Sequence, residues 1–100
     1  MAKYQVIFFE KESGEVPVEN FINSLDVKMA AKVYRLLVMI SENGPELREP
    51  YSKHLYFFFV GRRVVVTNGF VKKTQKTPKA EIDKAKAFRK EYIEREELKL

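Results

Sequence analysis

Two very apolar segments separated by only two residues constrain the fold of this chain more than any other feature. Residues 56–60 are aromatic and β-branched, and the valine-rich residues 63–67 follow them after Gly61 and Arg62. A two-residue loop with glycine in its first position is typical of a type II′ turn, so we expect a β-hairpin. Residues 56–60 have no polar alternation, which indicates that both faces of the sheet are covered.

The N-terminal half predicts one strand and two helices. Residues 3–9 read as a strand in which Tyr4, Val6 and Phe8 point to one face and Ile7 and Phe9 to the other. Pro17 suits the first turn of a short helix over about 18–25. A longer helix over about 27–42 follows, with Asp26 as its N-cap and Asn43-Gly44-Pro45 as its stop signal.

The long helix has two distinct faces. Its apolar residues recur at a spacing of three and four, which predicts a core-facing stripe of Ala30, Val33, Leu37 and Ile40. Lys28, Lys32 and Arg35 share another face, which is either simply solvated or in contact with nucleic acid or a protein partner. A last helix over about 78–97 begins at Thr77-Pro78 and carries the apolar stripe Ile82, Ala85, Phe88 and Tyr92. Together these elements predict a single α+β domain over residues 1–100, with N-terminal helices on a small, mainly antiparallel sheet and a C-terminal helix.

Composition narrows the class of protein. The chain has 100 residues and no cysteine, which excludes a disulfide framework, a thiolate metal site and a cysteine nucleophile. No apolar run approaches the roughly 18 residues that a membrane span requires, and the start does not read as a signal peptide. No spacing of histidine and acidic residues suggests a metal, and no glycine-rich phosphate loop is present. We therefore expect an intracellular, cytoplasmic protein without metal or cofactor.

The net charge of +5 is concentrated in one segment. Residues 71–90 contain eight lysines and arginines against two acidic residues, whereas residues 1–70 are nearly balanced, with nine against eight. A positive field confined to one segment is what a nucleic-acid footprint requires, although an acidic protein partner would be attracted by the same patch.

The basic segment begins at the junction of the last strand and the last helix. Residues 69–78 read Gly-Phe-Val-Lys-Lys-Thr-Gln-Lys-Thr-Pro, with three lysines among positions 72–76. The N-terminus of the helix adds unpaired N–H groups and a partial positive charge, so the junction predicts an anion site, with phosphate as the anion. The competing interpretation is a solvated, lysine-rich turn.

Several motifs in this order resemble the HigB/RelE-type bacterial toxins, in their phage-derived branch. They are the Pro-Val-x-x-Phe helix at 17–21, the segment Gly-Pro-x-Leu-x-x-Pro-Tyr-x-Lys-x-Leu at 44–55, the Tyr-Phe-Phe strand and Gly-Phe-x-Lys-Lys-Thr-Gln-Lys-Thr-Pro at 69–78. The resemblance implies a RelE-like fold and a metal-independent endoribonuclease that cuts mRNA on the ribosome. It also implies neutralisation by a small helix-turn-helix antitoxin of the HigA kind.

In that chemistry a ribose 2′-hydroxyl attacks the adjacent phosphate, and the protein must accept a proton and stabilise a dianionic phosphorane. Lys72 and Lys73 are our first candidates, because neighbouring cations lower the pKa of a lysine. Lys53 matches a position of the family near the active cleft and is the third catalytic candidate. The RNA-binding candidates are Lys76, Gln75, Arg62, Arg63 and His54. Lys53 also reads as a surface loop lysine, His54 as a bystander, and the two arginines as residues of a solvated turn. Tyr51 and Phe70 either stack on a base or pack in the core.

The chain departs from the toxin pattern between Leu55 and Tyr56. Members of the family have about twenty more residues here, including a central strand with the arginines usually credited with catalysis. The shortening is a natural inactive variant, a deliberate deletion, or an omission from a longer molecule. Loss of a central strand predicts unpaired backbone and exposed apolar surface.

The shortening leaves two alternatives to the nuclease. One is a non-catalytic, degenerate toxin that binds antitoxin, ribosome or RNA through its basic patch. The other, weaker alternative is a phage-derived structural protein.

Overall fold

A computed structural model describes residues 3–44, 55–70 and 79–98. In chain order the elements are β1 (Gln5–Phe8), α1 (Pro17–Asn23), α2 (Val27–Asn43), β2 (Leu55–Val60), β3 (Arg63–Gly69) and α3 (Lys79–Leu98). Two N-terminal helices, a small sheet and a C-terminal helix confirm the predicted α+β class.

The sheet has three strands in the order β1-β3-β2. Strands β2 and β3 form the predicted antiparallel hairpin, in which Val60 pairs with Arg63 across the two-residue turn. Gly61, the first residue of the turn, has a φ of 58°, and Arg62, the second, does not have a positive φ. This combination is that of a type II′ turn. Strand β1 pairs with β3 in parallel, so the sheet is mixed.

Both faces of β3 are covered, as the apolar sequence predicted. Val64 and Val66 are fully buried in one cluster with side chains from α1 and α2. Val65 points to the other face, where it packs with Phe9, Phe58 and Tyr92. Because successive side chains of a strand alternate, the helices α1 and α2 lie on one face and α3 on the other.

The ends of the N-terminal helices follow the predicted signals. Pro17 opens α1, and the Asp26 side chain accepts a hydrogen bond of 2.8 Å from the backbone N–H of Met29 at the start of α2. Helix α2 ends at Gly44, whose φ of 58° favours glycine. The core face of α2 contains Val33, Leu36, Leu37 and Ile40.

The chain continues through Leu55 and Tyr56 as one strand. Leu55 is fully buried in the cluster beneath α1 and α2 and pairs with Gly69. The central strand β3 has a neighbour on each side, so the expected unpaired backbone is not observed at the centre of the described sheet. Strand β2 pairs directly with β3.

A register shift lies next to this point. Tyr56 pairs with Asn68 and Phe57 with Val66, so Thr67 is an extra residue on β3. The Asn68-Gly69 pair lies within β3 and does not form a second hairpin turn.

Candidate functional site

Most of the candidate residues lie outside the described part of the chain. These are Lys53, His54, Lys72, Lys73, Gln75 and Lys76, together with Tyr51. Their roles stay predictions. The described residues define what flanks the basic segment: the end of β3 on one side and the start of α3 on the other.

The two candidate arginines of the hairpin differ in their surroundings. Arg62 is exposed at the turn. Arg63 donates a hydrogen bond of 2.9 Å from Nη1 to the Tyr92 hydroxyl, and the same nitrogen lies 3.7 Å from a carboxylate oxygen of Glu96. Arg63 therefore ties the hairpin to α3 and is not a solvated turn residue. Of the two, only Arg62 is fully available to an RNA phosphate.

A buried polar network joins the end of β3 to the beginning of α3. Asn68 is only 3% exposed, and its Nδ2 donates to the backbone carbonyl of Glu81 at 3.2 Å and to the Glu81 carboxylate at 3.1 Å. The Thr67 hydroxyl lies 2.8 Å from Asn68 Oδ1 and 3.1 Å from the Tyr56 carbonyl oxygen. These hydrogen bonds join the end of β3 to the first turn of α3.

Close packing continues at the end of β3. Phe70 is buried and its ring stacks on that of Tyr56, with centroids 4.9 Å apart. The core interpretation of Phe70 is thereby supported over base stacking. A side chain at Gly69 would overlap the ring of Phe21, which shows how closely α1 approaches the strand.

The described cations fall into two groups. Four of them have a carboxylate within 4 Å: Lys11 with Glu15, Arg63 with Glu96, Lys84 with Glu81, and Arg95 with Glu91. Four exposed cations of α3 form no ion pair with any residue that the structure describes. They are Lys79, Lys86, Arg89 and Lys90. We call these four residues the α3 basic row. Cations without carboxylate partners remain available to a phosphate.

Arg89 has a fixed position within this row. Its guanidinium carbon lies 5.5 Å from the centroid of the Phe58 ring. A guanidinium that stacks on an aromatic face keeps its N–H groups directed outward from its edge. Arg89 is therefore partly preorganised for an anion.

Tyr92 is the described side chain with a resolved change in acidity. Burial raises the pKa of its hydroxyl above the ordinary value of 10.0, opposed in part by the nearby Arg63 charge. The hydroxyl therefore stays protonated at neutral pH and accepts from Arg63, which makes it a structural group.

Three of these residues were missed by sequence reasoning. Asn68 had a signal, since it is an amide within an otherwise apolar strand, but the dipeptide Asn-Gly also signals a turn. Glu81 and Arg89 had none, because their partners are distant in the sequence. Among the described residues, no cluster of His, Asp and Glu could hold a metal ion. None of the described helices is long and apolar enough to cross a membrane.

The fold and the charge distribution define a small α+β protein with a basic segment that begins after its last strand and continues into its last helix. Residues 53–90 match a family of phage-derived proteins described as Phage derived protein Gp49-like (DUF891). The match covers less than half of the chain, spans the junction of Leu55 and Tyr56, and ends with Lys90, before the acidic end of α3. No curated protein matches the chain significantly.

Proposed function

We propose that this protein is the toxin of a type II toxin–antitoxin system and cuts mRNA on the ribosome. The observation that carries the proposal is the similarity of residues 53–90 to the phage-derived Gp49-like family, which is a RelE-like toxin family. Nearly the same segment holds the excess of positive charge, with eight basic against two acidic residues in 71–90. A cytoplasmic toxin that binds RNA and an antitoxin needs such a surface.

The proposed reaction is metal-independent transfer of the phosphate to the ribose 2′-oxygen. The 2′-hydroxyl loses its proton as its oxygen bonds to phosphorus, and the bond to the 5′-oxygen breaks as that oxygen accepts a proton. The products are a 2′,3′-cyclic phosphate and a 5′-hydroxyl. Lys72 and Lys73 are assigned to proton transfer and to stabilising the phosphorane, and Lys53 to a phosphate contact. Lys76, Gln75, Arg62 and His54 are assigned to RNA binding, whereas Tyr92 and Glu96 engage Arg63, the remaining candidate.

A second candidate is a non-catalytic toxin that binds antitoxin, ribosome or RNA without cutting. The composition of the described strands favours it: β1 and β2 contain no charged residue. Arg63 is the one basic residue in these strands, and Tyr92 and Glu96 already engage its guanidinium. In this candidate the basic segment binds but has no arginine-bearing strand beside it.

Primer extension on an mRNA tests the first candidate against the second. Purified protein is incubated with the message, with and without translating ribosomes. Discrete cuts that appear only with translating ribosomes are expected of the nuclease. A folded protein that produces no cuts, yet co-purifies with a helix-turn-helix antitoxin, would support the non-catalytic candidate.

A pair of charge-matched variants tests the lysine assignment. K72Q/K73Q removes the two catalytic candidates, and K28Q/K32Q removes two exposed lysines of α2. We expect cutting to fall by at least about a hundredfold in the first variant, the usual contribution of general acid–base catalysis, and to change little in the second. Equal activity of both variants would remove Lys72 and Lys73 from the mechanism.

A further inference from the structure

A small apolar cavity lies between β2 and the middle of α3. Its volume is about 220 Å³, and Phe58, Ile82 and Ala85 line it together with Lys86 and Arg89. Tyr56 adds a second aromatic ring on the β2 side, whereas the Phe57 side chain packs on the opposite face of the sheet. This volume is smaller than that of a typical drug-sized pocket, about 300–1,000 Å³, so the cavity suits a single ring and not a larger ligand.

Cations continue from this cavity along the surface of α3. Lys86 and Arg89 also line a shallow groove that includes Lys90 and Ile93. Residues three or four apart on a helix lie on one side of it, about 4.5–6 Å apart along the axis. The groove ends at the acidic residues Glu94 and Glu97, which oppose an anion there.

We propose that this surface binds single-stranded RNA, with one unstacked base in the cavity and backbone phosphates on Lys86, Arg89 and Lys90. Aromatic side chains that stack a base beside a cationic groove are the usual basis of single-strand binding. An acidic protein partner would use the cations but would not require a cavity of this size lined by Tyr56 and Phe58. The inference rests on the proposed function in one respect: it takes RNA as the natural ligand.

Two charge-matched triple variants test the phosphate contacts. K86Q/R89Q/K90Q removes two lysines and one arginine from the α3 basic row, and K28Q/K32Q/R35Q removes the same residue types from the exposed face of α2. Both lower the net charge from +5 to the same value. The affinity of each variant for a fluorescent RNA of about 20 nucleotides is measured by anisotropy at several salt concentrations.

The α3 variant is expected to bind about tenfold or more weakly at about 100 mM salt, and its salt dependence to fall by about two in log–log slope. The α2 variant should lose less than about threefold. Equal losses would mean that only net charge matters and would overturn the proposal. If RNA binding is unchanged but binding of polyglutamate is lost from the α3 variant, the row is a protein-binding surface and the proposal also fails.

Arg89 packs on Phe58, so its replacement can disturb folding. K86Q/K90Q leaves that contact intact and is compared with K28Q/K32Q. K86Q/K90Q is again expected to bind RNA more weakly than K28Q/K32Q. Unchanged far-UV circular dichroism of both variants checks that they are folded. Equal affinities of these two folded variants would overturn the proposal.

The base contact is tested with an abasic oligonucleotide of the same length and charge. Wild-type protein is expected to bind the RNA at least about fivefold more tightly than the abasic strand, since stacking contributes about 1–3 kcal/mol per base. In A85L the larger side chain fills the cavity, and this preference should disappear. No preference in the wild type, or an unchanged preference in a folded A85L, would overturn the base contact.

These measurements need no ribosome and do not depend on cutting. RNA binding through the α3 basic row without cleavage would contradict the nuclease and leave the inference intact. Cleavage on the ribosome by a protein whose α3 basic row plays no part in RNA binding would support the nuclease and overturn the inference.

Discussion

Tyr92 and Asn68 are the buried polar side chains that join α3 to the sheet. Tyr92 accepts from Arg63, and Asn68 donates to Glu81. Each pairs residues far apart in the sequence, so each depends on the packed arrangement of α3. Removing the Tyr92 hydroxyl or the Asn68 amide therefore loses a hydrogen bond between α3 and the sheet, which costs about 0.5–1.5 kcal/mol net.

Replacing Tyr92 by phenylalanine is expected to lower the free energy of unfolding by about 1 kcal/mol at pH 7. Y34F is the matched control, because Tyr34 is 55% exposed, and it should change stability by less than about 0.5 kcal/mol. Burial raises the pKa of Tyr92 above 10.0. The unfolded state therefore loses this proton first, so the advantage of the wild type over Y92F is complete below pH 10 and shrinks as pH rises through the folded pKa. Urea unfolding at several pH values measures the stability difference between wild type and Y92F at pH 7 and its decrease at alkaline pH. A difference that increases above pH 10 would contradict the prediction.

The isosteric change Asn68→Asp tests the polar network at the end of β3. It places a carboxylate oxygen where Nδ2 donates to the carbonyl and carboxylate of Glu81. We expect a loss of about 2 kcal/mol at pH 7, because two donated hydrogen bonds become repulsive contacts. The repulsion raises a carboxyl pKa in the folded state, so the deficit is smallest below about pH 4 and grows as pH rises through that pKa. N20D, at an exposed amide of α1, is the control. A pH-independent deficit in N68D would rule out the charge explanation.

At the level of secondary-structure elements, α1 packs closely against β3 at Gly69. Gly69 is where the Phe21 ring lies against the strand backbone. The position needs glycine because it lacks a side chain, and no positive φ is involved.

Gly69→Ala is therefore expected to destabilise the protein by about 1–3 kcal/mol through overpacking. Shortening the opposing ring in G69A/F21L should recover part of this loss relative to F21L alone, since residues in contact are not additive. A double-mutant cycle of urea unfolding energies measures the coupling. A coupling near zero would show that Phe21 is not what excludes the methyl group.

The elements were predicted well where local chemistry decides them. Asp26 and Gly44 end α2 as their capping preferences require, and Gly61 forms the tight turn of the hairpin. Pairing partners were less predictable. The parallel pairing of β1 with β3 joins residues separated by two helices and a hairpin, and no local pattern encodes it.

At the level of the whole molecule, the sheet separates two hydrophobic clusters. Val66 belongs to the cluster under α1 and α2, and its neighbour Val65 belongs to the cluster under α3. Both side chains are 0% exposed. The two valines therefore report on the packing of opposite faces with the same residue type in the same strand.

Val65→Ala and Val66→Ala are each expected to lower the free energy of unfolding by about 2 kcal/mol, from lost burial and the cavity that remains. A single cooperative transition should appear in both variants, because one strand supplies both faces. Chemical denaturation followed by circular dichroism and by tyrosine fluorescence measures this. A Val65→Ala variant with near wild-type stability would show that α3 does not cover its face of the sheet in solution.

The candidate site was predicted only in part, because part of it depends on contacts between residues that are distant in the sequence. The concentration of lysines and arginines in residues 71–90 is visible in the sequence, and so is the i,i+3 spacing of Glu81 and Lys84, whereas the position of Lys86 and Arg89 beside β2 is not. Lys84 and Lys86 are both lysines of the basic segment. The Lys84 Nζ atom lies 3.4 Å from a carboxylate oxygen of Glu81, whereas Lys86 lines the cavity beside β2. The Lys84 pair is internal to the helix, whereas the location of Lys86 depends on how α3 packs on the sheet.

The sequence by itself determined the α+β class, the hairpin, the helix ends and the basic segment. These follow from short-range preferences: side-chain periodicity, capping groups, the backbone freedom of glycine and the local density of charge. The tertiary structure decided that β2 pairs directly with β3, that Asn68 is buried against Glu81, and that the α3 basic row borders an aromatic cavity. These arrangements depend on contacts between residues distant in the chain, whose free energies exist only once the helices have packed on the sheet.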